Sequence, residues 1–359
     1  MERLDAKALH KFKSVSKQWK STIQSPCFQK RQLFRRKQSG DPCVALVSSS
    51  YGGSYPNPDI EALRTLVVGS SVSLKIPTPW ENKTYSVCTS SCDGLLFLYE
   101  GCDPNIVVNP TTRWHRRFPP CNYQLVTFEK RETRHKTIYL PGFGKDKISG
   151  TYKPVWLYNS LEIDLNNNAA ATTTTTCEVF DFTTNAWRYV VPASHFLILD
   201  IQDPVYVDGS LHWFTAPHEG ETKVLSFDLH TEAFQVIAKA PFHHDSNQHI
   251  TMCNLDDRLC VAEKEESEQV IWSLCSDHKT WSKIYSIDLD ITFDSFGIYP
   301  SHALIPLAVL EEDKLLFYDT GYSPLVIHDP KTKSYDLAYT SKASHAQAIC
   351  YFPSLISIF

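Results

Sequence analysis

A hairpin signal, followed some twenty residues later by an aromatic, recurs down this chain and restricts its fold more than any other feature. Asp93-Gly94 precedes Leu95-Leu96-Phe97-Leu98-Tyr99, and Asp208-Gly209 precedes Leu211-His212-Trp213-Phe214. Asp256-Asp257 and Glu312-Asp313 are weaker copies before further apolar runs. Asp-Gly favours the two-residue primed turns, which demand positive φ. The second half of each unit is a strand, a polar turn and an aromatic that opens the returning strand. It reads Val107-Val108-Asn109 to Trp114, Val179-Phe180-Asp181 to Trp187, Ser226-Phe227-Asp228 to Phe234, Ser273-Leu274-Cys275 to Trp281 and Ile327-His328-Asp329 to Tyr335. The last four aromatics stand 47, 47 and 54 residues apart.

A repeat of ~40–50 residues carrying four strands is the signature of a β-propeller blade. Five units end near Trp114, Trp187, Phe234, Trp281 and Tyr335. Segments 42–50 and 65–76 add strands ahead of the first, and residues 348–352 are placed to pair with them. The expected fold is therefore mainly all-β and β-propeller-like, with about six blades, one of them a composite of N- and C-terminal strands. Ring closure of this kind removes sheet edges that would otherwise invite aggregation. The interval from Trp114 to Trp187 is 73 residues, and it contains an Asn-Ala-Thr tract that reads as a flexible low-complexity loop at 166–176.

Composition agrees with strands. Aromatics make up 12% of 359 residues, and such side chains suit a pleated, half-buried surface. Charge divides the chain. Residues 1–40 hold 11 Lys and Arg against 2 acidic residues, whereas the remainder holds 24 against 38. That split predicts a separate N-terminal module, 1–40, ahead of a β domain, 41–359. An acidic body argues against nucleic-acid partners, because phosphate neutralisation needs a basic surface. The run Lys30, Arg31, Arg35, Arg36 and Lys37 reads as a solvated helix face, a localisation signal or a phosphate contact. Eleven cysteines at irregular spacing, no secretory pattern and no apolar stretch near the ~20 residues of a membrane helix point to reduced thiols, no membrane partner and a cytoplasmic and/or nuclear location.

Read as a helix, residues 4–23 place Leu4, Ala8, Phe12, Val15, Trp19 and Ile23 on one apolar stripe, with Lys7, Lys11, Lys13, Lys17 and Lys20 opposite. Ser14 and Ser16 favour a break between two helices, and Ser25-Pro26 marks a stop and a new start. Such a stripe must dock, either on its own β domain or on a partner. The run Leu4-Asp5-Ala6-Lys7-Ala8-Leu9, then Phe12-Lys13-Ser14-Val15-Ser16-Lys17-Gln18-Trp19 and Ser25-Pro26-Cys27-Phe28, resembles the second half of an F-box. It is similar to the F-box of the plant proteins that carry a C-terminal F-box-associated domain. Gly142-Phe143-Gly144-Lys145-Asp146 and Tyr152-Lys153-Pro154-Val155 resemble a strand pair of that associated domain, in family order. The resemblance implies a substrate receptor of an SCF-type cullin–RING ubiquitin ligase. The implied adaptor-binding residues are Leu4, Leu9, Phe12, Val15 and Trp19, which would meet a Skp-type adaptor and its cullin complex, while the β domain receives an unknown target protein. The family motif opens with a Leu-Pro, acidic, Leu segment and a short helix that have no counterpart here. The expectation is an F-box truncated at its N-terminal end, with adaptor contact weakened or lost if the truncation is genuine.

Motifs for chemistry are sparse. Gly142-Phe143-Gly144 lacks the remainder of a phosphate loop, and neither a G-x-S-x-G elbow nor an H-E-x-x-H pair occurs. Cys88, Cys92 and Cys102 do not meet zinc spacing and read as small hydrophobes. His243-His244-Asp245 with His249 reads as a polar inter-blade loop. Asp181, Asp228 and Asp329 recur at one turn position, where Asp bonds local N–H groups. No cofactor, no metal and no catalytic residue is expected. Two other readings remain beside the non-catalytic ligase subunit: an adaptor-independent scaffold or decayed F-box protein, and a propeller-type hydrolase whose active site is assembled from distant loops.

Overall fold

Three helices lead into a ring of sheets. The computed structural model describes residues 4–38, 40, 42–48, 63–70, 73–76, 85–129, 138–160, 174–242, 249–275, 280–296, 302–319, 324–340 and 346–358. The helices are α1 (Ala6–Phe12), α2 (Lys17–Gln24) and α3 (Pro26–Gln38). The Asp5 side chain caps α1 by accepting from the Ala8 N–H at 2.8 Å, and Ser16 caps α2 by accepting from the Trp19 N–H at 3.1 Å. Ser14 donates to the Lys11 carbonyl at 2.8 Å. The expected break therefore falls between two serines that serve the backbone of the adjoining helix ends. Pro26 stands in the first turn of α3, where its missing N–H costs nothing.

Every strand among the described residues belongs to one of six four-stranded antiparallel sheets. Strands β1 (Cys43–Ser48), β2 (Leu63–Val67) and β3 (Leu74–Lys75) precede the first complete blade. That blade is β4 (Ser86–Val87), β5 (Leu96–Tyr99), β6 (Asn105–Val108) and β7 (His115–Phe118). Helix α4 (Asn122–Glu129) follows, and then β8 (Gly142–Lys145), β9 (Tyr152–Asn159), β10 (Thr175–Asp181) and β11 (Ala186–Val190). The fourth blade is β12 (Val205–Val207), β13 (Ser210–Phe214), β14 (Lys223–Asp228) and β15 (Phe234–Lys239). The fifth is β16 (Ile250–Leu255), β17 (Arg258–Lys264), β18 (Glu268–Leu274) and β19 (Trp281–Asp288), with α5 (Leu289–Phe296) after it. The sixth is β20 (Ile305–Val309), β21 (Leu315–Tyr318), β22 (Pro324–Asp329) and β23 (Ser334–Thr340). Finally β24 (Ala346–Tyr351) pairs with β1 from Cys43↔Tyr351 to Ser48↔Ala346, so the closing blade runs β24-β1-β2-β3. Strands β8, β12, β16, β20, β24 and β4 touch in succession around the centre. The protein is a six-bladed β-propeller with one composite blade, as the repeat predicts. Helices α4 and α5 in the inter-blade connections are not foreseen by it.

Two local turn chemistries generate this architecture. Asp93-Gly94, Asp208-Gly209, Asp256-Asp257 and Glu312-Asp313 all have positive φ at both positions, and each joins the first and second strands of a blade. The weaker copies thus adopt the same left-handed geometry as the Asp-Gly pairs. At the turn joining strands three and four, the side-chain oxygens of Asn109, Asp181, Asp228 and Asp329 accept from backbone N–H groups two residues ahead at 2.7–2.9 Å. Four residues after each stands a positive-φ residue: Arg113, Asn185, Glu232 and Lys333. The aromatic follows one or two positions later, and three such aromatics bond to the preceding blade. Trp187 Nε1 donates to the Pro119 carbonyl, Trp281 Nε1 donates to the Lys239 carbonyl (2.7 Å each), and the Tyr335 hydroxyl accepts from the Asp288 N–H at 2.8 Å. Periodic aromatics therefore stitch blade to blade.

Alternation of strand direction places both kinds of turn on one face of the disc. The hairpins between second and third strands, and the connections between blades, leave at the opposite face. Helix α4 is tied to that connection face by Glu178 of β10, whose carboxylate accepts from the N–H groups of Asn122 and Tyr123 and from the Tyr158 hydroxyl. Burial pushes the Glu178 pKa up, and these three bonds pull against it.

One expected loop is shorter than predicted. Residues 161–173 lie outside the described residues, but Thr175 and Thr176, placed by the sequence reading inside the 166–176 loop, belong to β10 opposite Asn159 and Tyr158. β-branched threonines suit a strand, and buried Thr175 donates its hydroxyl to the Ser194 carbonyl at 2.9 Å. His243, His244 and Asp245 also lie outside the described residues. Cys88 and Cys92 are buried free thiols, and burial pushes Cys88 up to about 12.

Candidate functional site

The N-terminal helices form a small module seated on the turn face. Ala6 and Leu9 of α1, Ile23 of α2 and Phe28 of α3 surround Leu355 of the C-terminal tail in one apolar cluster, with Phe12 and Trp19 at its margin. Capping explains why these side chains converge. Asp5 and Ser16 start two separate short helices, and a single continuous helix would have kept Ile23 about 21 Å along its axis from Leu9.

This geometry divides the five predicted adaptor residues. Leu4 is 41% and Val15 63% exposed, whereas Leu9 is fully buried against Leu355. Phe12 and Trp19 are half-buried and meet edge to face, with ring centroids 5.5 Å apart. Leu4, Phe12, Val15 and Trp19 thus reach the module surface, and Leu9 supports it from within. Phe34 of α3, 62% exposed and absent from the expected set, adds an apolar group on the same module. In the sequence it is an apolar residue inside the basic run, between Arg31 and Arg35.

Beside the module, a cavity of about 360 Å3 opens at the turn-face mouth of the central channel. Ser90, Asp93, Tyr206, Asn254, Asp257 and Lys37 contribute to its wall. Each polar group there has a structural task. Asp93 binds Lys145 and accepts from the Tyr152 hydroxyl, Ser90 donates to the Pro204 carbonyl, and Lys37 lies 3.7 Å from Asp257. The last pair joins α3 to the fifth blade. Among the described residues no group of three or more side chains is arranged to hold a metal ion, and no helix is long and apolar enough to cross a membrane.

Deeper among the inner strands, Asp203 precedes β12 with the Thr89 hydroxyl beside it. Burial raises its pKa to about 7, against the hydroxyl's opposing effect. A carboxylate whose folded pKa is raised contributes stability below its unfolded value of about 3.9 and loses it as pH climbs through the folded value. Between pH 5 and 8 the unfolded chain is already ionised at this site while the folded chain gives up its proton. Asp203→Asn should therefore improve on wild type more at pH 8 than at pH 5, read as the difference in thermal midpoint at each pH. A pH-independent difference would mean that this carboxyl is solvated like any other.

Comparison with known proteins settles the lineage. The F-box domain profile matches residues 1–31, and the F-box associated beta propeller domain profile matches residues 59–358. This chain belongs to the F-box proteins with a C-terminal F-box-associated propeller. It is 62% identical to F-box protein At5g10340 of Arabidopsis thaliana, over all of this chain and 82% of that protein. It is 55% identical to F-box protein At2g34280 of the same plant, over all of this chain and 97% of that one. A third relative, F-box/LRR-repeat/kelch-repeat protein At1g09650, is 53% identical over all of this chain and 94% of its own length. The helical module is thus an F-box region and the ring is its associated domain. The propeller begins structurally at β1, ahead of the matched span, because β1 is the strand that receives β24. Proteins of this family are typically non-catalytic adaptors.

Proposed function

We propose that this F-box protein is the substrate-receptor subunit of an SCF-type cullin–RING ubiquitin ligase. The helical module docks a Skp-type adaptor through Leu4, Phe12, Val15 and Trp19, backed by Leu9, and the propeller's connection face receives a target protein. The subunit itself is non-catalytic. One observation carries this division of labour: the module occupies the turn face, while the connections at the other face carry exposed apolar side chains. Leu125 and Phe128 lie in α4, Phe196 and Ile201 between β11 and β12, and Ile291 and Phe293 in α5, all more than 40% exposed. Exposed aromatic and aliphatic groups on inter-element connections are typical of recognition surfaces.

The test is co-purification with the Skp adaptor and cullin. Wild type should be retained, and Phe12→Ala or Trp19→Ala should each lower retention at least tenfold, since truncating a central aromatic commonly costs ~2 kcal/mol of binding. Circular dichroism must show each variant folded. A wild-type chain that does not retain adaptor favours the adaptor-independent scaffold instead.

A further inference from the structure

We infer that residues 352–358 form a positioning strap that fixes the helical module's orientation on the propeller, with Asn109 as its clasp. The inference stands apart from adaptor binding, since it concerns two parts of one chain.

The strap follows β24 but joins no ladder, so its backbone groups need other partners. Asn109 supplies them. Its Nδ2 donates to the Ser354 carbonyl and hydroxyl at 3.1 Å each and to the Ile356 carbonyl at 2.9 Å, while its Oδ1 accepts from the N–H groups of Thr111 and Thr112. Asn109 and Ser354 are both fully buried. The equivalent turn position holds Asp in three other blades, Asp181, Asp228 and Asp329, where only acceptor atoms are used. The turn needs an oxygen, which Asp and Asn both provide. Only the amide also offers a donor, and it is present in the blade whose turn meets the backbone carbonyls of Ser354 and Ile356.

Two more features show a track built for the strap. Gly94 lets it pass close by: a Cβ there would lie 2.3 Å from the Phe352 carbonyl oxygen and 2.8 Å from Ser354 Oγ. Consecutive side chains then face opposite ways. Leu355 fills the module's apolar cluster and Ile356 joins the cluster of the second and third blades. The strap is thereby a shared core element between module and ring. Leu33 of α3 also packs in the cluster of the second and third blades and Lys37 pairs with Asp257, so the strap adds to direct contacts between helix and ring. It follows β24 directly, so ring closure and module docking depend on the same stretch of chain.

The Lys37–Asp257 pair provides a readout of orientation. Zero-length carbodiimide coupling should join residues 37 and 257 in the wild-type chain, with Lys239–Glu221, an exposed pair 2.8 Å apart within the fourth blade, as internal reference. Asn109→Asp keeps the turn oxygen but turns a carboxylate toward the two carbonyl oxygens of Ser354 and Ile356. It should lower the 37–257 yield at least fivefold relative to 221–239 and speed amide exchange in 352–358 by tenfold or more. Asp181→Asn, at the matching turn of the third blade, should change neither. Leu355→Ala serves if Asn109→Asp does not fold, and it should lower the 37–257 yield in the same direction. A folded variant of either kind with wild-type coupling would overturn the inference. Because no adaptor is present in this assay, its failure leaves the ligase reading untouched, and failure of adaptor binding leaves the strap untouched.

Discussion

Deletion of residues 346–359 is expected to abolish cooperative folding, not merely to shorten the chain. The segment contributes the innermost strand of the closing blade, paired with β1 over six residue pairs. Its loss exposes the β1 edge and removes the buried side chains of Ala348, Ile349, Tyr351, Leu355 and Ile356. Burying one large apolar side chain stabilises by about 1.5–3 kcal/mol. Four such residues together rival the ~5–15 kcal/mol net stability of a typical domain. Strands β20 and β4, which flank β24 around the channel, also lose a neighbour. Deleting 352–359 alone leaves the ladder whole and should give a soluble propeller with a modestly lowered transition. Soluble yield and thermal melts by circular dichroism distinguish the two. A 346–359 deletion that stays soluble with an unchanged transition would refute strand-mediated closure.

What the sequence revealed follows the range of the interactions involved. Each blade is specified by two turns whose chemistry is local: paired positive-φ residues at one and a side-chain oxygen over its own backbone at the other. Local chemistry leaves a residue pattern, so the repeat, its period and the composite blade were legible. The aromatic anchors were legible as positions, because every copy performs the same task on its neighbour. Interactions that cross the chain left no such trace. Asn109 differs from its copies by one atom type, and its partners lie about 245 residues away at Ser354 and Ile356. Glu178 reads as the polar position of an alternating strand, yet it is buried because it caps α4 some 55 residues earlier. Helix α4 shows no apolar face, so its sequence carries little periodic signal. In the module, spacing placed Leu4, Phe12, Val15 and Trp19 on one stripe, and the F-box resemblance added Leu9. Which of them faces inward is decided by Leu355, far away in sequence and close in space.

The seam between the second and third blades tests whether packing or hydrogen bonding holds the ring. Phe180 of β10 is fully buried, with Phe118 of β7 at 4.5 Å between ring centroids, Phe182 at 5.0 Å and Trp187 at 5.2 Å. Phe180→Ala removes a ring from the centre of this group, and its close neighbours can collapse only partly. The expected destabilisation is about 3–5 kcal/mol, the usual range for a large aromatic deleted from a core. Trp187→Phe offers the contrast, since it keeps an aromatic at the seam and removes the Nε1 donor to the Pro119 carbonyl. That bond lies at the exposed rim, where water can replace it, so its loss should cost only about 0.5–1.5 kcal/mol. Denaturant midpoints of the two variants, measured with wild type at one pH, decide the matter. If Trp187→Phe proved the more damaging, the blades would be held by their rim stitches, and the aromatic at each fourth strand would owe its recurrence to its donor. If Phe180→Ala does, as the burial demands, the stitches set register between blades and the aromatic interior supplies the stability.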